Sequence, residues 1–250
     1  MEIKKFFEEH SSVAVAFSGG TDSSVLLMLA KKYAKHVKAY YVKSQFQPEF
    51  EYADAVSVAK QLGAELEVIP LDVLSDTVVV SNPENRCYYC KKNVFTAICN
   101  AAQRDGLSTV VDGTNASDDI SDRPGMKALE ELGVLSPLRM CGYTKAYIRS
   151  LAKEGELPVS DKPSYACLAT RIPAGTPISI ELLKKTENAE NAMRCLGFTN
   201  FRVRYFNQNA KLELCKKDFD LLYKNRERVY ALLSDYYGDV YLDLKERADE

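Results

Sequence analysis

Val13-Ala14-Val15-Ala16-Phe17-Ser18-Gly19-Gly20-Thr21-Asp22-Ser23-Ser24-Val25-Leu26-Leu27-Met28-Leu29 decides the fold. Its first five residues are an unbroken apolar run, the pattern of a strand buried on both faces of a parallel sheet. Leu26, Leu29, Ala30 and Tyr33 then recur at helical spacing. The Ser18–Ser23 stretch between them is a short loop of Ser, Gly, Thr and Asp. Two glycines let the backbone turn sharply and approach a ligand closely. The free amides at the start of the next helix attract a phosphate. No Gly-Lys-Ser/Thr follows, so this is not the lysine-bearing phosphate loop. The plainer alternative is a strand-turn-helix in which the glycines serve only the turn.

Outward from that loop, strand and helix alternate. Val37 to Val42 reads as a second strand, Glu49 to Leu62 as a helix ended by Gly63, and Ala64 to Ile69 as a third strand. Tyr88 to Arg104 reads as a helix, and Val110-Val111 as a fourth strand running into Asp112-Gly113-Thr114-Asn115. This alternation predicts an α/β fold, a doubly wound parallel sheet with helices on both faces. Ligands in such folds collect at the carboxyl ends of the strands, where both Ser18-Gly19-Gly20 and Asp112-Gly113-Thr114-Asn115 fall. Pro158, Pro163, Pro173 and Pro177 then punctuate an irregular segment. Beyond it, a helix marked by Leu182, Thr186, Ala189, Met193 and Leu196 leads into strands at Phe201–Phe206 and Lys211–Cys215. A long helix from Lys217 to Tyr237 and a strand from Val240 to Leu244 complete a small α+β unit. The expected division is a first domain over residues 1–170 and a second, for substrate or oligomer contacts, over residues 171–250.

A chain of 250 residues with a net charge of −2 has no basic footprint for nucleic acid. The charged start, Met1 to His10, has no signal-peptide core, and no apolar run reaches membrane-spanning length. Seven cysteines in such a chain read as thiols or metal ligands rather than a disulfide framework. The expectation is a cytoplasmic protein that binds neither membrane nor nucleic acid.

Cys87 and Cys90, in Arg86-Cys87-Tyr88-Tyr89-Cys90-Lys91, stand three apart and share one side of a helix start. Alone, that spacing fits a redox pair, half of a zinc site or core packing. Cys167 lies in Ser164-Tyr165-Ala166-Cys167-Leu168-Ala169-Thr170-Arg171-Ile172-Pro173. Cys99, Cys141, Cys195 and Cys215 match no ligand spacing and read as small buried hydrophobes. Arg202 and Arg204 alternate with Phe201, Val203 and Tyr205, which puts both guanidiniums on one sheet face. That face is either solvated or turned to an anion.

The form Ser-Gly-Gly-x-Asp-Ser resembles the PP-loop of ATP pyrophosphatases, which split ATP into AMP and pyrophosphate. With Asn82-Pro83, the Cys87/Cys90 pair, Asp112-Gly113-Thr114-Asn115, Arg123-Pro124-Gly125, Ser136-Pro137-Leu138 and the Cys167 segment, the chain resembles the LarE-type ATP-dependent sulfur transferases. The resemblance covers nearly the whole chain. It implies that ATP, with Mg2+, adenylates a carboxylate of pyridinium-3,5-biscarboxylic acid mononucleotide. Sulfur then displaces AMP and leaves a thiocarboxylate, a step in making the nickel-pincer cofactor of lactate racemase. Some members give up the sulfur of the cysteine matching Cys167. Others hold a 4Fe-4S cluster on three cysteines matching Cys87, Cys90 and Cys167, and this chain has all three. Three thiolates suit three irons of a cubane and leave the fourth open to sulfide, whereas structural zinc takes four ligands. The only two histidines, His10 and His36, lie outside these segments.

The resemblance sorts the candidates further. Ser18, Gly19, Gly20, Asp22 and Ser23 would hold the phosphates, and Asp22 would place magnesium or pyrophosphate. Asp112, Thr114 and Asn115 would hold the nucleotide or its metal; an Asx-turn is the alternative for Asp112. Arg171 would neutralise a carboxylate or phosphate, or else form a surface ion pair. Arg202 and Arg204 match an arginine pair implicated in phosphate binding, and Glu190 occupies an acidic position of the family. The expected partners are the mononucleotide, a sulfide source and further copies of the chain in a homo-oligomer. A tRNA thiolase also joins such a loop to three cysteines, but the acidic balance and lack of an RNA-binding module argue against it. An amide-forming pyrophosphatase would not need the cysteines.

Overall fold

The computed structural model describes residues 2–118 and 124–247, so Arg123 of the Arg123-Pro124-Gly125 signature lies outside the described residues. The chain divides into two compact units, Met1–Val73 with Asn85–Lys162, and Leu74–Glu84 with Pro163–Glu250. The second unit thus begins at Pro163 rather than at 171 and takes in an eleven-residue segment from inside the first.

In the first unit α1 (Ile3–Glu9) precedes β1 (Ser12–Ala16), α2 (Thr21–Tyr33), β2 (His36–Lys43), α3 (Glu49–Gln61) and β3 (Glu65–Pro70). After α4 (Thr77–Ser81), which belongs to the second unit, the first resumes with α5 (Arg86–Arg104), β4 (Thr109–Val111), α6 (Pro124–Glu131), α7 (Pro137–Met140) and α8 (Lys145–Glu154). The strands form one parallel sheet in the order β3-β2-β1-β4, with Val15 of β1 level with Ala39 of β2 and Val111 of β4. Val13 and Val15 point into a core shared with Phe6, Leu26, Val58 and Ile148. Ala14, Tyr40 and Val110 point the other way and pack on Phe95, Ile98 and Ala102 of α5. Both faces of the sheet are therefore covered, as the unbroken apolar run in β1 requires. Each fully buried side chain of this size contributes about 1.5–3 kcal/mol.

The charged N-terminus hides a helix that charge alone does not reveal. Ile3, Phe6 and Phe7 are buried at helical spacing, and Lys4, Lys5, Glu8 and Glu9 line the outer side. Because β2 and β3 lie on one side of β1 and β4 on the other, the chain reverses direction of travel between β1 and β4. That switch point opens a crevice beyond the carboxyl ends of these strands.

In the second unit α9 (Ile180–Cys195) precedes β5 (Phe201–Phe206), β6 (Asn209–Leu214), α10 (Phe219–Ser234) and β7 (Val240–Leu242). The sheet order is β5-β6-β7, antiparallel then parallel. Met193, Phe198, Val203, Leu212 and Leu233 fill its core. The long helix is interrupted at Asn225, whose backbone leaves the helical region. The borrowed segment is fixed by Asn82, in left-handed conformation at φ 55°. Its side-chain amide donates to the carbonyls of Pro173 at 2.8 Å and Thr176 at 3.0 Å, and its own carbonyl accepts from Gly175 N–H at 2.8 Å. Asparagine tolerates this conformation better than most residues.

Candidate functional site

The loop after β1 is built from its own small polar groups. Ser18 N–H donates to Ser23 Oγ at 3.3 Å, the two hydroxyls lie 3.1 Å apart, and Ser23 Oγ donates to the Gly20 carbonyl at 3.1 Å. Gly19 has φ 74°, and a Cβ there would lie 2.7 Å from Ala55 Cβ on α3. Both the dihedral and the collision demand glycine. Thr21 Oγ1 donates to the Val159 carbonyl at 2.8 Å, tying the start of α2 to the end of the first unit. Gly20 caps α2 with no side-chain oxygen, so the first amides of the helix keep the unmet donors that draw an anion.

The loop after β4 is pressed against this one. A Cβ on Gly113 would lie 2.9 Å from Ser23 N, so only glycine lets the two loops meet. Asp112 is buried, and its carboxylate accepts from Thr114 Oγ1 and from Ser136 Oγ, each at 2.5 Å. Asn115 Oδ1 accepts from Ser117 N–H at 2.8 Å. The structure brings Ser18, Gly19, Gly20, Asp22, Ser23 and the Asp112–Asn115 loop together. Asp112 works inside that loop, and Ser136 is the partner that explains its orientation.

Asp22 has a partner that the sequence reading missed. Lys145 Nζ donates to both of its carboxylate oxygens, at 2.8 and 2.6 Å. Lys145 opens α8, whose N-cap Thr144 accepts from Tyr147 N–H. Thr144 followed by Ile148, Leu151 and Ala152 at helical spacing was the available signal. The pair is only partly buried, with side-chain exposures of 32% for Lys145 and 25% for Asp22.

None of the seven cysteines is joined in a disulfide. Cys87, exposed, and Cys90, half-buried, occupy the first turn of α5 in the first unit, with Arg86 Nη2 at 3.8 Å from Cys87 Sγ. Cys167, half-buried, belongs to the second unit and caps a short 3-10 turn at Leu168–Arg171. Among the described residues no three His, Cys, Asp or Glu side chains stand together as a ready-made metal site. Of the other four, Cys99 and Cys141 are half-buried with burial pushing their thiols up, Cys215 is buried, and Cys195 is exposed, unlike the expected core residue.

Arg171 is fully buried, so the alternative of a surface ion pair gives way to an interior one. Its Nε donates to Glu190 Oε1 at 2.8 Å and its Nη2 to Oε2 at 3.2 Å. Nη1 donates to the Ala166 carbonyl and to Thr170 Oγ1, both at 2.8 Å, so the guanidinium shapes the backbone on either side of Cys167. Glu190, also fully buried, accepts further from Tyr165 OH at 2.6 Å and Val203 N–H at 3.1 Å. Burial pushes the Tyr165 hydroxyl up, and the Glu190 charge adds to this.

Arg202 and Arg204 do share a face, as their period predicts. Neither is solvated freely. Arg204 donates to Glu213 and to the Thr170 carbonyl, each at 2.5 Å. Arg202 is buried and donates only to carbonyls, of Phe201 at 2.7 Å and Ser164 at 2.5 Å, while its guanidinium lies 5.1 Å from the centre of the Tyr165 ring. Burial pushes its guanidinium down to about 10, with repulsion from Arg171 and Arg247 adding to the effect. Glu190 offsets part of this by attraction, and the two carbonyls take the guanidinium's hydrogen bonds.

Comparison with known proteins agrees with these features. The asparagine synthase family matches residues 4–77, the part that carries β1, the loop and α2. An uncharacterised protein of Synechocystis is 33% identical over 85% of this chain and 80% of its own length. An uncharacterised protein of Methanocaldococcus jannaschii is 31% identical over 91% of this chain and 87% of its own. The pyridinium-3,5-bisthiocarboxylic acid mononucleotide synthase of Lactiplantibacillus plantarum is 34% identical over 81% of this chain and 74% of its own. A likeness of that depth across both units, joined to the loop and thiol set above, places this chain in the LarE-type family of pyridinium-3,5-bisthiocarboxylic acid mononucleotide synthases.

Proposed function

We propose that this chain is an ATP-dependent sulfurtransferase that converts a carboxylate of pyridinium-3,5-biscarboxylic acid mononucleotide into a thiocarboxylate. The observation that carries the reading is the Ser18–Ser23 loop with Asp22 and Lys145 set over the start of α2, in a chain of this family. In the first half-reaction a substrate carboxylate oxygen attacks the α-phosphorus of ATP. The bond from that phosphorus to the bridging oxygen breaks, and pyrophosphate leaves. In the second, a sulfur nucleophile adds to the acyl carbon and AMP leaves with the oxygen.

The chain's residues divide that work. The amides after Gly20, with the Ser18 and Ser23 hydroxyls, cradle the pyrophosphate. The donors fit Mg2+: one hard carboxylate, Asp22, beside phosphate oxygens is a usual magnesium arrangement. Lys145 neutralises Asp22 and is placed to donate to the departing pyrophosphate; Asp22 would hold the ion, which would supply further charge there. Asp112, fixed by Thr114 and Ser136, holds the neighbouring loop with Asn115 against the nucleotide. Arg202 and Arg204 offer charge to the mononucleotide phosphate. Arg171 acts as a positioning residue that shapes the Cys167 turn.

The thiol set fits a 4Fe-4S cluster by its donor chemistry: three cysteines outside any disulfide, two of them a helical turn apart. Cys87, Cys90 and Cys167 would hold it, and it would supply an iron without a protein ligand for sulfide. The competing use of Cys167 is as the sulfur donor itself. Cysteines outside any disulfide, together with ATP as substrate, suit the cytoplasm.

Incubation with ATP and the mononucleotide, followed by chromatography, tests the reading. AMP and pyrophosphate are expected; ADP and phosphate would overturn it. Anaerobic preparation with iron and sulfide analysis tests the thiol set. Each of Cys87→Ala, Cys90→Ala and Cys167→Ala should lose the cluster and repeated turnover but keep ATP binding. Loss of the elements of hydrogen sulfide from Cys167 after turnover, with full activity of the Cys87→Ala and Cys90→Ala proteins, would favour the sacrificial route instead.

A further inference from the structure

The two arginines given to the substrate phosphate also grip the chain around Cys167. Arg202 Nη2 donates to the Ser164 carbonyl and Arg204 Nη1 to the Thr170 carbonyl, each at 2.5 Å. Those carbonyls stand three residues before and three residues after Cys167. Both guanidiniums reach them from one face of β5. Within the span so held, the bonds are local: Thr170 N–H and Oγ1 donate back to the Cys167 carbonyl at 3.0 and 2.8 Å. Tyr165 steadies the first strap, with its hydroxyl on Glu190 at 2.6 Å and its ring 5.1 Å from the Arg202 guanidinium. The whole arrangement lies inside the second unit.

These straps are weaker than the bonds the same donors would make to a phosphate. A guanidinium N–H on a phosphate oxygen joins two charges and is roughly twice as strong as a bond between neutral groups. The local charge also favours an anion. Glu190 is shared by Arg171 and Arg194, Glu213 is shared by Arg204 and Arg247, and Arg202 donates to carbonyls alone. Five guanidiniums therefore meet two carboxylates. A phosphate that takes N–H groups from the two carbonyls leaves them to water, which reaches the half-buried Ser164 and Thr170.

We propose that Arg202 and Arg204 are positioning residues for Cys167 as well as ligands of the mononucleotide phosphate, and that the arriving phosphate loosens the straps and releases the Cys167 segment. The proposal rests on the assignment of that phosphate to this arginine pair. It makes the sulfur step wait for a seated substrate, because the binding energy of the phosphate drives the change at the thiol. A nucleoside without the phosphate leaves the straps closed.

Alkylation of the full chain in its reduced thiol form tests this, with inorganic phosphate as a probe too small to cover the thiol. Peptide mass spectrometry reads the rate at Cys167 against the exposed Cys195, and the buried Cys215 reports any unfolding of the unit. Phosphate should speed alkylation of Cys167 in the wild type about tenfold, the factor by which losing one hydrogen bond to a charged group favours an opened segment. Arg202→Ala and Arg204→Ala should each be faster by about the same factor without phosphate, and phosphate should add little. Arg204 is one third exposed, so Arg204→Ala tests the strap even where Arg202→Ala fails to fold. A purely structural role would leave the rate independent of phosphate. Calorimetry with phosphate on the wild type and both variants measures occupancy of the pair. Equal phosphate binding by all three would overturn the phosphate assignment and the proposal with it. Binding lost in the variants, with a Cys167 rate in the wild type that phosphate does not move, would overturn the proposal alone. So would an Arg204→Ala protein that alkylates at the wild-type rate.

Discussion

Two ion pairs of nearly equal length sit in the two units and do opposite jobs. Lys145 and Asp22 meet at 2.6 Å with about a third and a quarter of their side chains exposed. Arg171 and Glu190 meet at 2.8 Å with no exposure at all. Asp22 has one cation as its partner, whereas Glu190 also accepts from Tyr165 and Val203 N–H. Water reaches the first pair, so a phosphate or a metal can exchange with either member at little cost. Nothing can exchange with the second without unpacking its surroundings. Burial and the number of fixed partners, rather than distance, separate machinery from scaffold.

The comparison makes its largest prediction for stability. Glu190→Ala leaves Arg171 charged, buried and unpaired, which costs about 3–5 kcal/mol. Urea unfolding of the second unit should show a loss of that order. A loss below about 1 kcal/mol would mean that water reaches this pair and that it resembles the exposed one. Next in size is an effect on rate. Asp22→Ala and Lys145→Ala should each lower AMP formation about a hundredfold or more, the usual scale for one positioned electrostatic group. Stability should change by no more than about 1 kcal/mol, because the pair is partly solvated. An active Lys145→Ala protein would return Lys145 to the role of a simple surface partner. Smaller again is an effect on affinity. Arg202→Ala and Arg204→Ala should each weaken mononucleotide binding by roughly 1.5–3 kcal/mol, the range for hydrogen bonds to charged groups, and leave ATP binding unchanged. Calorimetry with each ligand separates the two, and equal losses would contradict the division of labour.

What could be read in advance follows the same line between local and non-local. The β1 run, the glycines of its loop and the helical spacing of α2 are local patterns, and the strands and helices from β1 through β3 appear within a few residues of their expected bounds. The Arg202/Arg204 alternation is local as well. Lys145 escaped because α8 went unread, although Thr144 and its apolar spacing were present. The burial of Glu190 could not be read, since one helical glutamate looks the same whether it meets solvent or Arg171 nineteen residues earlier. The same holds for Leu74–Glu84, which joins the second unit through Asn82 and the 172–178 backbone, about ninety residues away. Contacts across such separations carry no period in the sequence.

The smallest effect is one of pH, and it tests whether the buried pair is truly ionic. Burial pushes the Glu190 carboxyl up, but the Arg171 charge and the bonds from Arg171, Tyr165 and Val203 more than offset this and hold it below its ordinary 4.5. A carboxyl depressed in the folded state binds fewer protons there than in the unfolded chain. Its contribution is therefore full above pH 4.5 and is lost as the pH falls through the folded-state value. Glu190→Gln keeps the shape and cannot titrate. The stability gap between wild type and Glu190→Gln should be widest near neutral pH and should narrow as the pH drops towards about 3. Unfolding curves for both proteins across that range measure the gap. A gap that instead falls as the pH rises from 4.5 to neutral would mean that folded Glu190 keeps its proton there, so that Arg171 is a buried cation with only dipoles to balance it, and the contrast with Asp22 and Lys145 would have to be redrawn.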